Sequence, residues 1–365
     1  MSVAVILSAP GAGATPAQFG HGVAPVPAPV PGRTPDEALH DAASAFVLNW
    51  VDGEGRVVRR DQGNDTVSEG QAYGMLVAVA VGDEPRFQKI WTWTREHLQR
   101  ADGLLAWHWA NGAVVDPTPA SDADLDAARA LVRAGALFER PDLTADGNQL
   151  AGRIMDQLTL TTLHGRILLP GPWANQEAGI SYNPSYPSPA AFAILGRSTG
   201  DPRWQELATG TTAVTAALLT AGTLPPDWAL IRTDGSVQPV RAPGGRGPGK
   251  YSYDAARVPV RLAESCSPAD LTAAANTAPA LRISGMAAPL DLPGATAAGV
   301  AHPIFRVAMA AALAAAGHHA EARSDLEWAE TLNNAHPTYY GTAWIALGRI
   351  YLDSPVLGGC PALPH

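Results

Sequence analysis

Apolar residues recur at helical spacing along most of the chain after residue 34. Residues 35–50 form one amphipathic stretch, residues 68–79 a second and residues 84–98 a third. These segments are rich in Ala and Leu, which favour helix, and their apolar positions match one helical face. Nine further helices are predicted to begin near Asp122, Thr144, Ser188, Pro202, Asp254, Pro268, Ile304, Ala320 and Tyr339. The pattern therefore predicts an all-α fold of about twelve helices.

Strand signals are few, and the loops between the helices are long. Residues 56–59 and 164–169 are each predicted to form a short hairpin edge. Long loops usually carry function, and those at 100–121, 161–187 and 222–252 contain Trp, Pro, Gly, Asp and Tyr. No 34-residue helical repeat is present. A closed ring of helices, with elaborate loops at one end, therefore fits better than an open superhelix.

The two ends of the chain differ from its middle. Residues 1–14 are apolar and small. They contain no Lys or Arg before the apolar run, so they are a poor signal peptide as they stand. Residues 15–35 contain six prolines, typical of an extended linker. We assign residues 1–33 to a disordered apolar remnant and linker, 34–353 to one domain and 354–365 to a C-terminal tail. No stretch has the ~18–20 unbroken apolar residues that a membrane span needs.

Composition excludes several classes of protein. Hydrophobic residues make up 46% of the chain and charged residues 16%, which argues against general disorder. The net charge of −9 argues against nucleic acid or an anionic membrane as the main partner. Cys266 and Cys360 lack the spacing of a metal site, so they either pair in an oxidising compartment or are two buried thiols.

Acidic residues crowd one helix start. Asp122, Asp124 and Asp126 lie in the first turns of an otherwise apolar helix. Acids there are favoured by the helix dipole, and Ser121 or Asp122 would make a good N-cap. Capping needs only one such side chain, so the cluster resembles a carboxylate site for a sugar.

Glu69 stands at a second helix start. Gly70 and Gly74 follow it, and each costs about 1 kcal/mol relative to alanine in a helix. Their presence suggests the close approach of another group. The alternative interpretation is a capping box between Ser68 and Gln71.

Asp254 stands at a third helix start, three residues before Arg257, so the two can pair on one helical face. The flanking tyrosines and the Gly-rich loop at 244–249 favour a site. The alternative is an N-cap Asp with a local ion pair.

Aromatic residues lie beside prolines in the long loops, and exposed Trp and Tyr on rigid loops can stack on sugar rings. The alternative for them is ordinary loop anchoring. The ten histidines form no metal-binding motif, so neither a metal nor a cofactor is predicted.

Together these motifs resemble glycoside hydrolase family 8 from about Trp50 to Tyr351. The family signature, Ala-Ser/Thr-Asp-Gly/Ala-Asp and then an apolar helix ending in Phe or Trp, is matched from Ala120 to Phe138, with Ala127 replacing Ile or Met at a packing position. The segment at Ser68 resembles the family's general-acid segment, and residues 253–257 resemble the segment of its base. Residues 90–94 and 224–228 are further similar to cellulases found beside bacterial cellulose synthases.

The resemblance implies an (α/α)6 barrel and hydrolysis with inversion, by two carboxyl groups roughly 6.5–9.5 Å apart. Glu69 would be the general acid and Asp254 the general base, while Asp122 would hold and distort the cleaved sugar. The other residues that the matching places in the glycan site are Asp124, Trp107, Trp173, Tyr186, Tyr253, Arg257 and Tyr340.

We therefore predict a secreted or periplasmic endo-β-1,4-glucanase that acts on cellulose-type chains and associates with a cellulose synthase complex. The alternatives within the fold are a chitosanase, a xylanase or a mixed-linkage glucanase, although the placement of Asp254 favours a glucanase. Outside enzymes, the alternatives are a non-catalytic glycan-binding factor in cellulose export and a helical scaffold. The acids at the helix starts argue against both.

Overall fold

The computed structural model describes residues 33–219, 224–243, 248–283, 287–290, 292 and 296–363. The predicted disordered segment at 1–33 lies outside these residues, apart from Arg33. Most of the Gly-rich loop at 244–249 lies outside them too. Those two predictions therefore stay predictions.

Helices dominate the described part of the chain, as the apolar spacing predicts. The thirteen α-helices there are α1 (Pro35–Trp50), α2 (Ser68–Ala80), α3 (Glu84–His97), α4 (Ser121–Leu137), α5 (Pro141–Gln157), α6 (Pro189–Thr199), α7 (Arg203–Leu218), α8 (Arg257–Ala263), α9 (Pro268–Ala275), α10 (Ala278–Ile283), α11 (Pro303–Ala315), α12 (His319–Ala335) and α13 (Tyr339–Asp353). The helix predicted to begin near Thr144, α5, begins three residues earlier, at Pro141.

Six of the helices form a closed inner ring. In ring order, α2, α4, α6, α8, α11 and α13 each contact the next, and α13 contacts α2. The remaining long helices, α1, α3, α5, α7, α9 and α12, pack outside this ring. The predicted (α/α)6 barrel is thus confirmed.

Burial explains which helices lie inside the ring. A helix that is apolar on all sides belongs in a core, whereas an amphipathic one belongs at the surface. In α13, 14 of 15 residues are buried, and in α2 11 of 13 are buried. In α12 only 4 of 17 are buried. Gly348 of α13 lies against Val307 of α11, where an added Cβ would come within 2.6 Å of a Val307 methyl group.

Small antiparallel sheets occupy the long loops. The strands are β1 (Thr66–Val67), β2 (His108–Ala110), β3 (Ala113–Asp116), β4 (Thr159–Thr162), β5 (Gly165–Leu168), β6 (Asn175–Gln176), β7 (Gly179–Tyr182), β8 (Trp228–Ile231), β9 (Val237–Val240), β10 (Ala287–Leu290) and β11 (Thr296–Ala301). They pair in the orders β1-β2-β3, β4-β5, β6-β7-β8-β9 and β10-β11.

One of the two predicted hairpin edges is confirmed. Residues 164–169 contain β5, which pairs with β4. The prediction for residues 56–59 is wrong, since Val57 and Arg59 form only isolated bridges, to Val51 and Asp65. The chain reverses between Arg59 and Asp65, where Gly63 and Asn64 both have positive φ.

The C-terminal tail packs against the barrel. Arg129 of α4 donates hydrogen bonds to the backbone oxygen of Leu357, which is itself buried. A disulfide joins Cys360 to Cys266, with the Cα atoms 5.2 Å apart. The two cysteines are therefore paired and are not two buried thiols. Among the described residues, no helix combines the length and apolar character needed to cross a membrane.

Candidate active site

Arg257 organises the site. This side chain, in the first turn of α8, is 1% exposed. Its Nη1 donates to Glu69 Oε2 at 3.0 Å and to Asp122 Oδ2 at 2.9 Å, while Nη2 donates to Asp254 Oδ1 at 3.0 Å. One guanidinium group thus joins the three carboxyl groups that the sequence predicts to be catalytic, although Glu69 and Arg257 are 188 residues apart in the chain.

The three carboxyl groups differ in their access to solvent. The side chains of Glu69 and Asp254 are 23% and 26% exposed, whereas that of Asp122 is 5% exposed. Glu69 and Asp254 are therefore partly accessible to solvent, whereas Asp122 is buried. Asp122 is thus the most buried of the three carboxyl groups.

Electrostatics separate the roles of these groups. Burial raises the pKa of Glu69 to about 7; Arg257 opposes this shift, while the negative charges of Asp122 and Asp254 add to it. Burial likewise raises the pKa of Asp122, against the effect of Arg257. Glu69 can therefore hold a proton near neutral pH, as a general acid must.

Asp254 is held from two sides. Arg257 binds one of its oxygens, and the side-chain amide of Asn183 donates to the other at 3.0 Å. Asn183 is in turn fixed by the backbone N–H and the hydroxyl of Ser185, at 3.0 and 2.7 Å. The predicted ion pair between Asp254 and Arg257 is present, and it is one part of a larger network.

The two glycines after Glu69 allow close packing. A Cβ on Gly70 would lie 2.8 Å from the Tyr339 hydroxyl oxygen, and one on Gly74 would lie 3.0 Å from a Val57 methyl. The group whose close approach the glycines suggest is therefore protein, not ligand.

The capping box predicted as an alternative at this helix does not form. The N-cap of α2 is Val67, which makes no side-chain cap bond. The Gln71 side chain instead accepts from the Val57 amide and donates to the Thr94 hydroxyl. Gln71 thus ties α2 to α3 and to the loop before α2.

The acids of α4 do not share one site. Residues two apart on a helix point to different sides, whereas residues four apart share a face. Asp122 meets Arg257, Asp126 meets Arg261, and Asp124 accepts a hydrogen bond from the Leu105 amide at 2.9 Å. The three acids that form one cluster in the sequence thus bind three different partners in the structure.

Two predictions about α4 need correction. Its N-cap is Ala120, without a side-chain cap bond, so neither Ser121 nor Asp122 caps it. Asp124 has no exposed surface, so the predicted sugar contact does not fit its position. Burial raises the pKa of Asp124 well above its usual range. Asp124 instead anchors the loop at Leu105 by accepting the hydrogen bond of its amide.

Aromatic residues flank the site on one side in a row. The ring centroids of Trp173 and Trp228 are 6.0 Å apart, and those of Trp228 and Tyr186 are 6.2 Å apart. The Arg257 guanidinium carbon lies 5.4 Å from the Tyr186 ring centroid. Trp173 is half-buried, whereas Tyr186 is largely buried. Trp173 is thus the more accessible of the two predicted platforms.

Other predicted aromatic residues lie beside Glu69 and Asp254. The half-buried Trp107 stacks on His108, and its backbone oxygen accepts from the amide of Ser68, next to Glu69. Tyr340, in the first turn of α13, donates its hydroxyl to the backbone oxygen of Tyr253 at 3.2 Å. Both predicted tyrosines therefore border the segment that carries Asp254. Among the described residues, no group of three or more His, Cys, Asp or Glu is placed to hold a metal ion.

The comparisons with known proteins agree with this geometry. A family model described as "Glycosyl hydrolases family 8" matches residues 41–351. The chain belongs to this family. The resemblance to this family is thereby confirmed.

Curated relatives of this family 8 chain include a "Probable endoglucanase" of Novacetimonas hansenii, 34% identical over 61% of this chain and 66% of the relative. An "Endoglucanase" of Xanthomonas axonopodis pv. citri is 35% identical over 64% of this chain and 66% of the relative. The chain thus spans slightly less than two thirds of the length of these relatives.

A solved structure shows the same fold. The endo-beta-1,4-glucanase of Acetobacter xylinum aligns with a TM-score of 0.74 and 27% identity, over 87% of this chain and 98% of that one. An endoglucanase from Komagataeibacter sucrofermentans aligns with a TM-score of 0.72 and 25% identity, over 86% of this chain and 97% of that one.

Sequence reasoning missed two polar residues of this family 8 site. Asn183 orients Asp254, but a lone Asn before Pro in a loop gives no signal for such a role. Asp227 binds the backbone beside Asp254. It lies in the segment 224–228, which resembles other cellulases, but that resemblance assigns no role to Asp227.

Proposed function

We propose that the chain is an endo-β-1,4-glucanase that cleaves its glycan with inversion. The observation that carries this proposal is the Arg257 guanidinium, which binds Glu69, Asp122 and Asp254 at one end of the barrel. Membership of family 8 and relatives named endoglucanase support it.

Each carboxyl group has one task in this mechanism. Glu69, with a pKa raised to about 7, donates its proton to the glycosidic oxygen. Asp254, fixed by Arg257 and Asn183, takes a proton from the water that attacks the opposite face of the sugar. Asp122 holds the hydroxyls of the cleaved sugar from below. The aromatic row at Trp173 and the ring of Trp107 offer stacking surfaces for the neighbouring sugars.

The first test is hydrolysis of carboxymethylcellulose. Glu69→Gln and Asp254→Asn each remove one proton-transfer group, so each should lower kcat by about 10²–10⁴-fold. Glu96→Gln, on the exposed face of α3, is the matched control and should keep wild-type activity. Wild-type turnover in either active-site variant would remove that residue from the mechanism. Parallel assays on soluble chitosan and xylan decide between the polysaccharide classes.

The second test is the stereochemistry of the product. Proton NMR of a fresh digest should show the α anomer first and the β anomer only after mutarotation. Initial release of the β anomer would contradict a single displacement by water.

We further infer that the protein is secreted or periplasmic and associates with a cellulose synthase complex. The disulfide Cys266–Cys360 supports the first inference, because disulfides persist in oxidising compartments. The similarity of residues 90–94 and 224–228 to cellulases found beside cellulose synthases supports the second. Cell fractionation tests the location, with the enzyme expected outside the cytoplasm. Co-purification with the tagged synthase tests the association, and a synthase recovered without this chain would contradict it.

A further inference from the structure

Asp227 touches the segment that carries the proposed general base, although it belongs to a different part of the barrel. It directly precedes β8, and its backbone amide donates to the Lys250 oxygen at 2.7 Å. Its side-chain Oδ1 accepts hydrogen bonds from two amides, Ser252 at 3.0 Å and Ala255 at 2.8 Å. Those two amides lie on either side of Asp254.

The segment that Asp227 binds is a helical turn leading into α8. Within it, the Ala256 amide donates to the Ser252 oxygen, and the Arg257 amide donates to the Asp254 oxygen. Amides at the start of a helical turn have no partner within it, and a carboxyl oxygen is the usual acceptor for them. The acceptor normally comes from the same chain segment, whereas here Asp227 supplies it from 25 residues away.

We propose that Asp227 is a positioning residue for the general base, acting as an N-cap supplied from another segment that fixes the turn at residues 252–256 and thereby aims the Asp254 carboxyl at the attacking water. This inference rests on the proposed role of Asp254. It gives the site one further functional residue, which acts through Asp254.

The charges around Asp227 indicate that it acts as a hydrogen-bond acceptor rather than as an anion. Burial, followed by the negative charge of Asp254, raises the pKa of Asp227 to about 8, while its two amide bonds and Arg257 oppose the shift. Tyr251 also faces it, and Lys250 contributes its backbone oxygen. Asp227 is therefore mainly neutral at pH 5–7. An uncharged side chain of the same shape, that of Asn, should therefore be able to accept the same two hydrogen bonds.

The same bonds connect Asp254 with the aromatic row. Trp228 follows Asp227 directly, and its ring packs near Trp173 and Tyr186. One short segment therefore sets both an aromatic surface and the position of the base. A shift of about 1 Å in a reacting group can cost on the order of 10²-fold in rate.

Three variants test this inference. Asp227→Ala removes the acceptor and should lower kcat by about 10–100-fold with KM within about twofold. Asp227→Asn keeps an oxygen for the two amides and should restore kcat to within about threefold, with a pH profile of unchanged shape below pH 7. Asp234→Ala is the matched control, because Asp234 accepts a similar bond from the Ser236 amide at 2.8 Å in the turn between β8 and β9.

The outcomes separate this inference from the proposed function. If Asp254→Asn is inactive but Asp227→Ala has wild-type kcat, the positioning role is wrong and the proposed function stands. If Asp254→Asn is itself fully active, both fail. Loss of kcat in Asp227→Asn equal to that in Asp227→Ala would show that the charge matters and would overturn the acceptor role. If Asp227→Ala does not fold, Asp227→Glu, which keeps the acceptor but displaces the turn, should still lower kcat; wild-type kcat would overturn the proposal.

Discussion

Two arginine clusters lie one helical turn apart in the barrel, and their chemistry is nearly the same. Arg257 and Arg261 are four residues apart on α8, and their partners Asp122 and Asp126 are four residues apart on α4. We call them the cleft cluster and the inner cluster. The cleft cluster comprises Arg257, Glu69, Asp122 and Asp254; the inner cluster comprises Arg261, Arg129, Asp126 and Glu264.

The clusters differ in charge balance and in access to water. The cleft cluster sets three carboxyl groups against one guanidinium, whereas the inner cluster sets two against two. Every side chain of the inner cluster is 2% exposed or less, while Glu69 and Asp254 are partly open to solvent. The surplus of carboxyl groups adds to burial in raising the pKa of Glu69. The same Asp–Arg pair is therefore structural in the inner cluster and part of the proposed reactive site in the cleft cluster.

The largest effect on stability is expected from breaking the inner cluster. Asp126→Asn leaves Arg261 and Arg129 as buried cations with only Glu264 to balance them. Removing one partner of a buried ion pair costs about 3–5 kcal/mol. Urea unfolding followed by circular dichroism measures this loss.

The same substitution in the cleft cluster is its matched control. Asp122→Asn leaves Arg257 bound to two carboxyl groups, Glu69 and Asp254, so the free energy of unfolding should fall by less than in Asp126→Asn. Activity should fall sharply in this variant instead. Equal loss of stability in the two variants would contradict the division into structural and reactive clusters.

The next effect concerns the C-terminal tail, which the disulfide joins to Cys266 just after α8. Replacing Cys266 and Cys360 together by Ser opens a loop of 94 residues and should cost about 2–4 kcal/mol. Activity per folded molecule should be unchanged, because Cys266 follows the C-terminal end of α8, whereas Arg257, which binds Glu69, lies in its first turn. Thermal unfolding with and without reductant measures the cost. A fall in kcat of the folded variant would show that the two ends are coupled.

A smaller effect is expected on the pH profile. Glu69 must carry a proton to act, and its pKa is about 7, so kcat should be full in moderately acidic solution and fall as pH rises through 7. The charge of Arg59 lowers the pKa of Glu69, so Arg59→Gln should move the alkaline limb to higher pH. Arg60→Gln, its exposed neighbour, is the control and should leave the limb in place. A limb that moves to lower pH in Arg59→Gln would exclude Glu69 as the group responsible.

The sequence predicts the helices, the barrel and the acidic helix starts, because apolar spacing and short motifs are local signals. Apolar spacing and the placement of acids do not by themselves predict which acids meet. Asp122 and Asp126 are equivalent in that pattern, and only the family resemblance assigns Asp122 to the site. Their different partners follow from the depth at which α8 presents Arg257 and Arg261. Gln71 resembles a cap residue, yet it binds partners from α3 and the preceding loop. Such long-range partners cannot be derived from one chain without its fold. The division of the chain at residues 33 and 353 stays a prediction.

Closure of the ring by α13 against α2 has a consequence for how the chain folds. These helices come from opposite ends of the domain, so contacts of high sequence separation must form before the ring is complete. Until residues 339–353 have left the ribosome, the faces of α2 and α11 that pack against α13 have no partner. Apolar surface exposed in this way promotes aggregation. We therefore expect folding of this barrel to be a late event in its synthesis, with the cleft cluster assembled only when nearly the whole chain is available.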